Sequence, residues 1–133
     1  MNAVDTNILI YACDKRDPAK QSRALDLIAQ TQDCVLLWQV ACEFVAASRK
    51  LVTQGFAPLD AWNRLAEFAE IMPLIAPTAG VLPFAQQLHL SSGVSFWDSM
   101  LLAACRDAGV TVLHSEDVPG GLIDGVRVVN PFA

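Results

Sequence analysis

Short apolar runs alternate with helical segments along the whole chain, and this alternation most limits the possible folds. The apolar runs predict strands that include residues 3–4, 35–38, 74–76, 110–114 and 126–129. Strands that alternate with helices are typical of a parallel sheet with helices on both faces. We therefore predict an α/β fold: a three-layer α/β/α sandwich with a mostly parallel sheet of about five strands, formed by residues 1–133 as a single domain.

Local signals indicate where helices begin and end. Asp17 and Pro18 suit the N-cap and first position of a helix, since proline there has no amide hydrogen to leave unpaired. Thr78 is expected to cap a helix that runs to about residue 89, and a further helix is expected over residues 39–53. The stretch 115–125, rich in glycine and acids, is expected to be a loop.

The composition is apolar for a chain of this length. Apolar residues make up 53% and charged residues 17%, whereas soluble domains carry roughly 25% charged residues. Such a chain either leaves an apolar face for a second copy or a bound partner, or fills a dense three-layer core. Composition alone leaves both alternatives open.

The charge balance disfavours a protein that holds nucleic acid through a basic patch. Nine lysine and arginine residues stand against fourteen acids, for a net charge of −5. Arg49, Lys50, Arg64 and Arg106 lie on predicted helices and are the cations available for contact with a nucleic acid. A nucleic-acid ligand is therefore disfavoured but not excluded.

The cysteines and the N-terminus favour a reducing compartment. The four cysteines form no C-x-x-C pair and have no histidine at zinc-ligand spacing, so they are expected to be buried thiols. The N-terminus lacks a basic segment followed by an apolar one, and no apolar run is long enough to span a membrane. We predict a cytoplasmic protein without a membrane segment.

Four acids stand out because of where the predicted elements place them. Asp5 follows the first strand, Asp117 follows the strand near residue 114, and Asp98 lies in the first turn of a helix. Parallel strands end at one edge of a sheet, and ligands bind in the crevice there. Glu43 is the only acid among apolar helix neighbours and could reach the same edge. A buried carboxylate is costly unless it is paired, and a cation would remove that penalty.

Each acid also has a purely structural explanation. Asp5 could cap the turn that follows it, and Asp98 could return a hydrogen bond to Ser95 in a capping box. Glu43 could lie on the exposed edge of its helix, and Asp117 could be a solvated loop residue. The case for a site therefore depends on the four acids together.

Carboxylates gathered without lysine or arginine partners repel one another and favour a hard cation. All-oxygen ligation suits Mg²⁺ or Mn²⁺, and such a site can activate water and stabilise the leaving oxygen of a phosphodiester. Thr6, Asn7 and Ser115 are expected to support the acids or to contact the substrate. The adjacent Glu116 and Asp117 leave open which of them is the fourth acid.

Four segments together resemble the PIN domain, and in particular the VapC-type toxins of bacterial toxin–antitoxin pairs. The segments are Asp5-Thr6-Asn7 with the apolar run to Ala12, the lone Glu43, Phe96-Trp97-Asp98 with the helix that follows, and Leu113-His114-Ser115-Glu116-Asp117. They occur in the family's order and spacing over nearly the whole chain. Each motif alone is weak evidence for the family, whereas four motifs in the same order and spacing are specific evidence for it.

The resemblance implies a Mg²⁺- or Mn²⁺-dependent endoribonuclease, a hydrolase that leaves a 3′-hydroxyl and a 5′-phosphate on RNA. By motif, Asp5, Glu43 and Asp98 match the three core acids of the family, and Asp117 matches the fourth, more variable one. These residues are the expected catalytic and metal-binding set.

The resemblance also implies partners. Family members commonly form homodimers and are inhibited by a cognate antitoxin whose C-terminal segment lies in a groove beside the active site. Thr6 and Ser115 match the family's small hydroxyl positions. The acidic charge departs from many relatives, which are more basic.

We therefore predict a toxin-like endoribonuclease in which Asp5, Glu43 and Asp98 hold one or two divalent ions and an activated water attacks phosphorus in line. One alternative is an inactive binding subunit that keeps the acids only as turn and cap residues. A second is a small phosphatase with Asp5 as nucleophile, although that enzyme would require an acid at position 7, which is asparagine. The RNA target and the antitoxin are not predicted.

Overall fold

A computed structural model describes residues 1–133, which form six strands and six helices. The strands are β1 (Asn2–Val4), β2 (Cys34–Leu37), β3 (Leu74–Ile75), β4 (Val112–His114), β5 (Gly121–Ile123) and β6 (Val126–Val129). The helices are α1 (Thr6–Cys13), α2 (Pro18–Gln30), α3 (Trp38–Ala47), α4 (Pro58–Ile71), α5 (Val81–Ser91) and α6 (Phe96–Ala108), with a 3₁₀ segment over Ser48–Gln54. The predicted α/β fold is confirmed, with one strand more than expected.

The sheet has the order β3-β2-β1-β4-β6-β5, with β1 between β2 and β4. β1 pairs in parallel with both neighbours, and Ala3 lies opposite Val35 on one side and Leu113 on the other. β3 and β6 extend the sheet in parallel, and only the edge strand β5 is antiparallel. The strand order therefore reverses between β1 and β4, where a crevice opens outside the carboxyl ends of the strands.

The expectation of a loop over 115–125 is wrong for its last part, which contains β5. β5 and β6 form a hairpin whose two turn residues, Asp124 and Gly125, have φ angles of 50° and 82°. Positive φ at both positions is what a type I′ turn requires, and Asp-Gly is a preferred pair for it. The turn signal was present in the sequence, but β5 is short and begins at a glycine, so no strand pattern accompanied it.

Two expected helices differ from the structure at their ends. α5 begins at Val81, with Gly80 and not Thr78 as its N-cap. The Thr78 hydroxyl accepts from the Gly80 amide at 3.2 Å and donates to Asp107 Oδ1 at 2.6 Å. The helix expected over 39–53 is α3 followed by the 3₁₀ segment. That change occurs at Ser48, whose hydroxyl donates to the Val45 carbonyl at 2.7 Å.

The core holds α3 firmly against the sheet. Phe44 of α3 and Phe68 of α4 are almost fully buried and pack edge to face, with ring centroids 5.5 Å apart. Burial of one such side chain contributes roughly 1.5–3 kcal/mol. Because Phe44 points into the core, its neighbour Glu43 is fixed at the border between core and solvent, where it is half-buried.

Several large apolar side chains remain outside the core. Trp38, Trp62 and Trp97 are 50%, 60% and 64% exposed. A dense core therefore does not account for the whole apolar content. No helix is both long enough and apolar enough to cross a membrane.

All four cysteines are free thiols. Cys34 and Cys105 are buried and Cys13 is partly buried, as expected. The expectation is wrong for Cys42, which is exposed because it lies on the outer face of α3.

Candidate active site

Asp5 lies at the carboxyl end of β1 and caps α1. Its Oδ1 accepts a hydrogen bond from the Thr6 amide at 2.7 Å, and its Oδ2 accepts one from Ser115 Oγ at 2.7 Å. The side chain is buried, and this burial raises the pKa of Asp5 above its ordinary value of 3.8. The Glu43 and Asp117 charges act in the same direction and outweigh, together with burial, the two hydrogen bonds. Asp5 therefore has the capping role that the sequence offered as its structural explanation, and it is also a buried acid without a cationic partner.

Glu43 projects from α3 toward Asp5. Its Oε2 accepts from Thr6 Oγ1 at 2.8 Å, and its Oε1 accepts from Gln39 Nε2 at 2.9 Å. Both donors are neutral, so they fix the direction of the carboxylate without neutralising it. Gln39 also donates to the Trp97 carbonyl at 3.3 Å, which ties α3 to the start of α6.

Asp98 lies in the first turn of α6, as predicted. The Ser95 hydroxyl caps the helix and accepts from the Asp98 amide at 3.3 Å. The expected return bond from the Asp98 carboxylate to Ser95 is not formed, so the capping box is only half present. The Asp98 carboxylate has no hydrogen bond or salt bridge within the protein, and it lines the same cavity as Asp5.

The loop after β4 brings Ser115 and Asp117 to the same place. Ser115 Oγ accepts from the Asp117 amide at 3.2 Å and the Val118 amide at 3.1 Å while it donates to Asp5. Asn7 Nδ2 lies 3.3 Å from Asp5 Oδ2 and 3.2 Å from Asp117 Oδ2 and donates toward both. Asn7 and Ser115 therefore connect the two acids that follow β1 and β4.

Glu116 has a different environment from Asp117. Its carboxylate accepts hydrogen bonds from Lys20 Nζ and the Tyr11 hydroxyl, and these bonds lower the pKa of Glu116. Its backbone amide donates to Asn7 Oδ1 at 3.3 Å. The Glu116 charge is thus neutralised inside the protein, whereas the Asp117 charge is not.

Asp5, Glu43, Asp98 and Asp117 line one polar cavity of about 470 Å³ at the switch point of the sheet. Thr6, Asn7 and Glu116 line it as well, whereas Ser115 is buried and not among the lining residues. Of the four candidate cations, only Lys50 lines the cavity. No three of its acids converge into a preformed metal cluster. Mg²⁺ keeps several waters and is often bound through one or two carboxylates, so the oxygen-only donor set still suits it.

A second cavity of about 790 Å³ adjoins the first and is mostly apolar. Trp38, Ile75, Leu82 and Met100 are among the residues that line it, and Glu43, Gln39 and Trp97 border both cavities. The polar cavity and this second cavity, an apolar groove, therefore share three lining residues.

The sequence did not single out Gln39, Tyr11 or Lys20. Gln39 lies four residues before Glu43 on the same helix, a spacing at which side chains pair, so its role was detectable. Lys20 and Glu116 are 96 positions apart, and no local pattern connects them. Arg64 and Arg106, considered as substrate contacts, instead pair with Glu67 and Asp124.

Comparison with known proteins supports the resemblance seen in the sequence. The sequence profile of the PIN domain matches residues 3–118. No curated protein matches.

Several solved structures share the fold at low identity. A toxin–antitoxin complex from Klebsiella pneumoniae is 19% identical with a TM-score of 0.67 over 98% of both chains. FitAcB from Neisseria gonorrhoeae is 16% identical with a TM-score of 0.74 over 99% of both chains. VapC20 from Mycobacterium tuberculosis, described as a toxin that cleaves the sarcin–ricin loop, is 18% identical with a TM-score of 0.66 over 96% of this chain and 99% of that one.

At these identities the structural likeness shows the fold alone. The matching profile covers most of the sequence and includes the segments that carry Asp5, Glu43, Asp98 and Asp117. Sequence and fold agree, and the chain belongs to the PIN domain family.

Proposed function

We propose that this protein is a divalent-metal-dependent endoribonuclease that acts as the toxin of a toxin–antitoxin pair. The observation that carries the proposal is that Asp5, Glu43, Asp98 and Asp117 line one cavity and none of them forms a salt bridge. Uncompensated carboxylates in one cavity cost free energy, and natural proteins keep such arrangements mainly at functional sites.

Mg²⁺ or Mn²⁺ is the cofactor that fits this donor set, since every candidate ligand is a carboxylate oxygen. Asp5, Glu43, Asp98 and Asp117 would hold one or two ions. When bound, the metal supplies an activated water for attack on phosphorus and neutralises charge that develops on the phosphate. We assign Asp117 rather than Glu116 as the fourth acid, because Glu116 already pairs with Lys20.

Neutral donors hold the acids in place. Thr6 and Gln39 orient the Glu43 carboxylate, and Ser115 orients Asp5. Because these donors carry no charge, the negative potential of the cavity is preserved while side-chain motion is restricted. Partners of this kind typically change metal affinity or activity by about 10–100-fold when they are removed.

We further propose that an antitoxin and a second copy of this chain are the protein partners. The fold is shared with structures described as toxin–antitoxin complexes. The apolar groove beside the site also leaves Trp38 and Leu82 largely exposed. Apolar patches of this kind mark interaction surfaces in soluble proteins.

The test is cleavage of a mixed RNA pool by the purified protein with Mg²⁺, with Mn²⁺ and with EDTA. The Asp98→Asn variant is compared with Asp60→Asn as its matched control. Asp60 also lies in the first turn of a helix, but its carboxylate accepts from the Ala57 amide at 2.7 Å, away from the cavity. We expect cleavage that requires the metal, is lost in Asp98→Asn and is retained in Asp60→Asn.

Mn²⁺ titration calorimetry on the same samples separates the alternatives. A folded protein that neither cleaves RNA nor binds Mn²⁺ would overturn the enzyme proposal and favour the inactive binding subunit. Equal cleavage by both variants would remove Asp98 from the site. Hydrolysis of an aryl phosphate without RNA cleavage would favour the phosphatase.

A further inference from the structure

The proposed function raises an electrostatic problem. RNA is a polyanion, the protein carries a net charge of −5, and the cavity that RNA must enter is lined by more acids than cations. A bound divalent ion neutralises charge at the reacting phosphate only. Neighbouring phosphates of the strand still require a cation on the protein, since phosphate contacts supply most of the affinity for nucleic acids.

The nine lysine and arginine residues can be sorted by position and partner. Only Arg16 and Lys50 line the polar cavity. Arg16 forms a salt bridge with Asp14, in which Nε lies 3.0 Å from Oδ1 and Nη2 lies 2.9 Å from Oδ2. Lys50 has no acid within salt-bridge distance, makes no side-chain hydrogen bond and is exposed. It is the one unpaired cation that borders the cavity.

The backbone beneath Lys50 is well anchored. Lys50 lies in the 3₁₀ segment Ser48–Gln54, between Ser48 and Leu51, which are 4% and 0% exposed. The Ser48 hydroxyl donates to the Val45 carbonyl and ties the segment to α3, the helix that carries Glu43. The lysine therefore extends from a fixed base beside the acids.

We propose that Lys50 is a substrate-binding residue that contacts a backbone phosphate of RNA at the rim of the cavity. This inference rests on the proposed function and extends it to the way the strand is held. The ammonium group binds phosphate as a point charge and reads no base. Lys50 therefore supports affinity for RNA in general and does not select a sequence.

Arg49 provides a matched control for Lys50. It is adjacent, exposed and unpaired in the same 3₁₀ segment, but it does not line the cavity. Lys50→Ala and Arg49→Ala remove the same charge from nearly the same place. Any effect of net charge alone is therefore equal in the two variants, and an effect of position appears only for Lys50.

The experiment measures binding without cleavage. Each substitution is made in the full chain that also carries Asp98→Asn, and binding of a fluorescein-labelled single-stranded RNA of mixed sequence is followed by anisotropy over a series of salt concentrations. We expect Lys50→Ala to weaken binding about tenfold, the value of one charge-assisted hydrogen bond. The slope of log affinity against log salt should fall by about 0.7, as expected for one phosphate of a single strand. Arg49→Ala should change affinity less than twofold, and Lys50→Arg should restore it.

Equal losses in Lys50→Ala and Arg49→Ala, or an unchanged affinity in Lys50→Ala, would overturn the inference. Cleavage kinetics without the Asp98 substitution give a second criterion, since a binding role requires that Lys50→Ala raises KM and leaves kcat nearly unchanged. If the wild-type chain cleaves no RNA, that result contradicts the proposed nuclease function. The anisotropy comparison still decides the role of Lys50 by itself.

Discussion

The two ends of helix α1 carry buried acids in opposite electrostatic states. Asp14, after the last turn, accepts two hydrogen bonds from the Arg16 side chain and one from Gln54 Nε2 at 2.7 Å. The Arg16 bond lowers the pKa of Asp14 far below its ordinary value. Asp5, before the first turn, receives only neutral donors, and its burial raises its pKa. The Arg16 partner thus dominates at Asp14, whereas at Asp5 burial dominates and no cation offsets it.

The same contrast occurs between two neighbours in the loop after β4. The Glu116 carboxylate accepts hydrogen bonds from Lys20 and Tyr11, whereas the Asp117 carboxylate accepts one only from the neutral Asn7 side chain. Paired acids such as Asp14 and Glu116 are satisfied by the protein and support its fold. Acids without a cationic partner in the protein can bind a metal ion from solution. The predictions below test this division.

The largest effect is expected for Asp5→Asn. Asparagine keeps the cap of α1, because it is as good an N-cap residue as aspartate, but it removes the charge. We expect cleavage to fall by about 10³-fold, since a metal contributes several kcal/mol to the transition state and each 1.36 kcal/mol is a factor of ten. Without divalent ions, the thermal unfolding midpoint should not fall, because a buried charge close to Glu43 and Asp117 is removed.

Asp17→Asn is the control for Asp5→Asn. Asp17 is likewise an N-cap, with Oδ1 accepting from the Lys20 amide at 3.1 Å, but it lies outside the cavity. It should retain full cleavage. A substantially active Asp5→Asn protein would contradict the division between the two ends of α1.

An intermediate effect is expected when Asp117→Asn is compared with Glu116→Gln. Mn²⁺ affinity measured by calorimetry should fall about tenfold in Asp117→Asn, within the range seen when groups close to a metal are altered. Glu116→Gln should change it by less than threefold, because that carboxylate faces Lys20. A larger loss in Glu116→Gln would reverse the assignment of the fourth acid.

The smallest effect is expected for Asp14→Asn, and it concerns stability. Since the folded-state pKa of Asp14 is below 3.8, its carboxylate stabilises the fold above that pH and loses this contribution as the pH falls through the lower folded value. We expect a loss of about 1 kcal/mol in unfolding free energy at neutral pH, given that the exposed Arg16 side chain is screened by solvent. Urea denaturation over a pH series measures it.

The difference between Asp14→Asn and wild type should narrow as the pH falls below 3.8 toward the lowered folded-state pKa of Asp14, because the wild-type carboxylate is then protonated. Asp26→Asn is a suitable control, because Asp26 is exposed on α2 and makes no salt bridge. A difference that does not depend on pH would mean that Asp14 acts through its shape and hydrogen bonds, not its charge.

Much of the fold could be predicted because its signals are local. Strand and helix alternation, the caps at Asp17 and Ser95, and the acids at strand ends depend on residues within one or two turns of each other. Strand β5 was the exception, because the Asp-Gly turn was followed by a strand pattern but not preceded by one. The placement of Asp5, Glu43, Asp98 and Asp117 around one cavity also followed the prediction, since parallel strands end at a common edge.

By itself, the sequence determined the order of the elements, their caps and which acids would follow strands, because these features arise from short-range hydrogen bonding and side-chain periodicity. Only the tertiary structure decided which acids are neutralised. Lys20 meets Glu116 across 96 positions, Thr6 meets Glu43 across 37, and Lys50 borders the cavity unpaired. Charge pairing depends on distances of a few ångströms between segments remote in sequence, and packing of the helices on the sheet sets those distances.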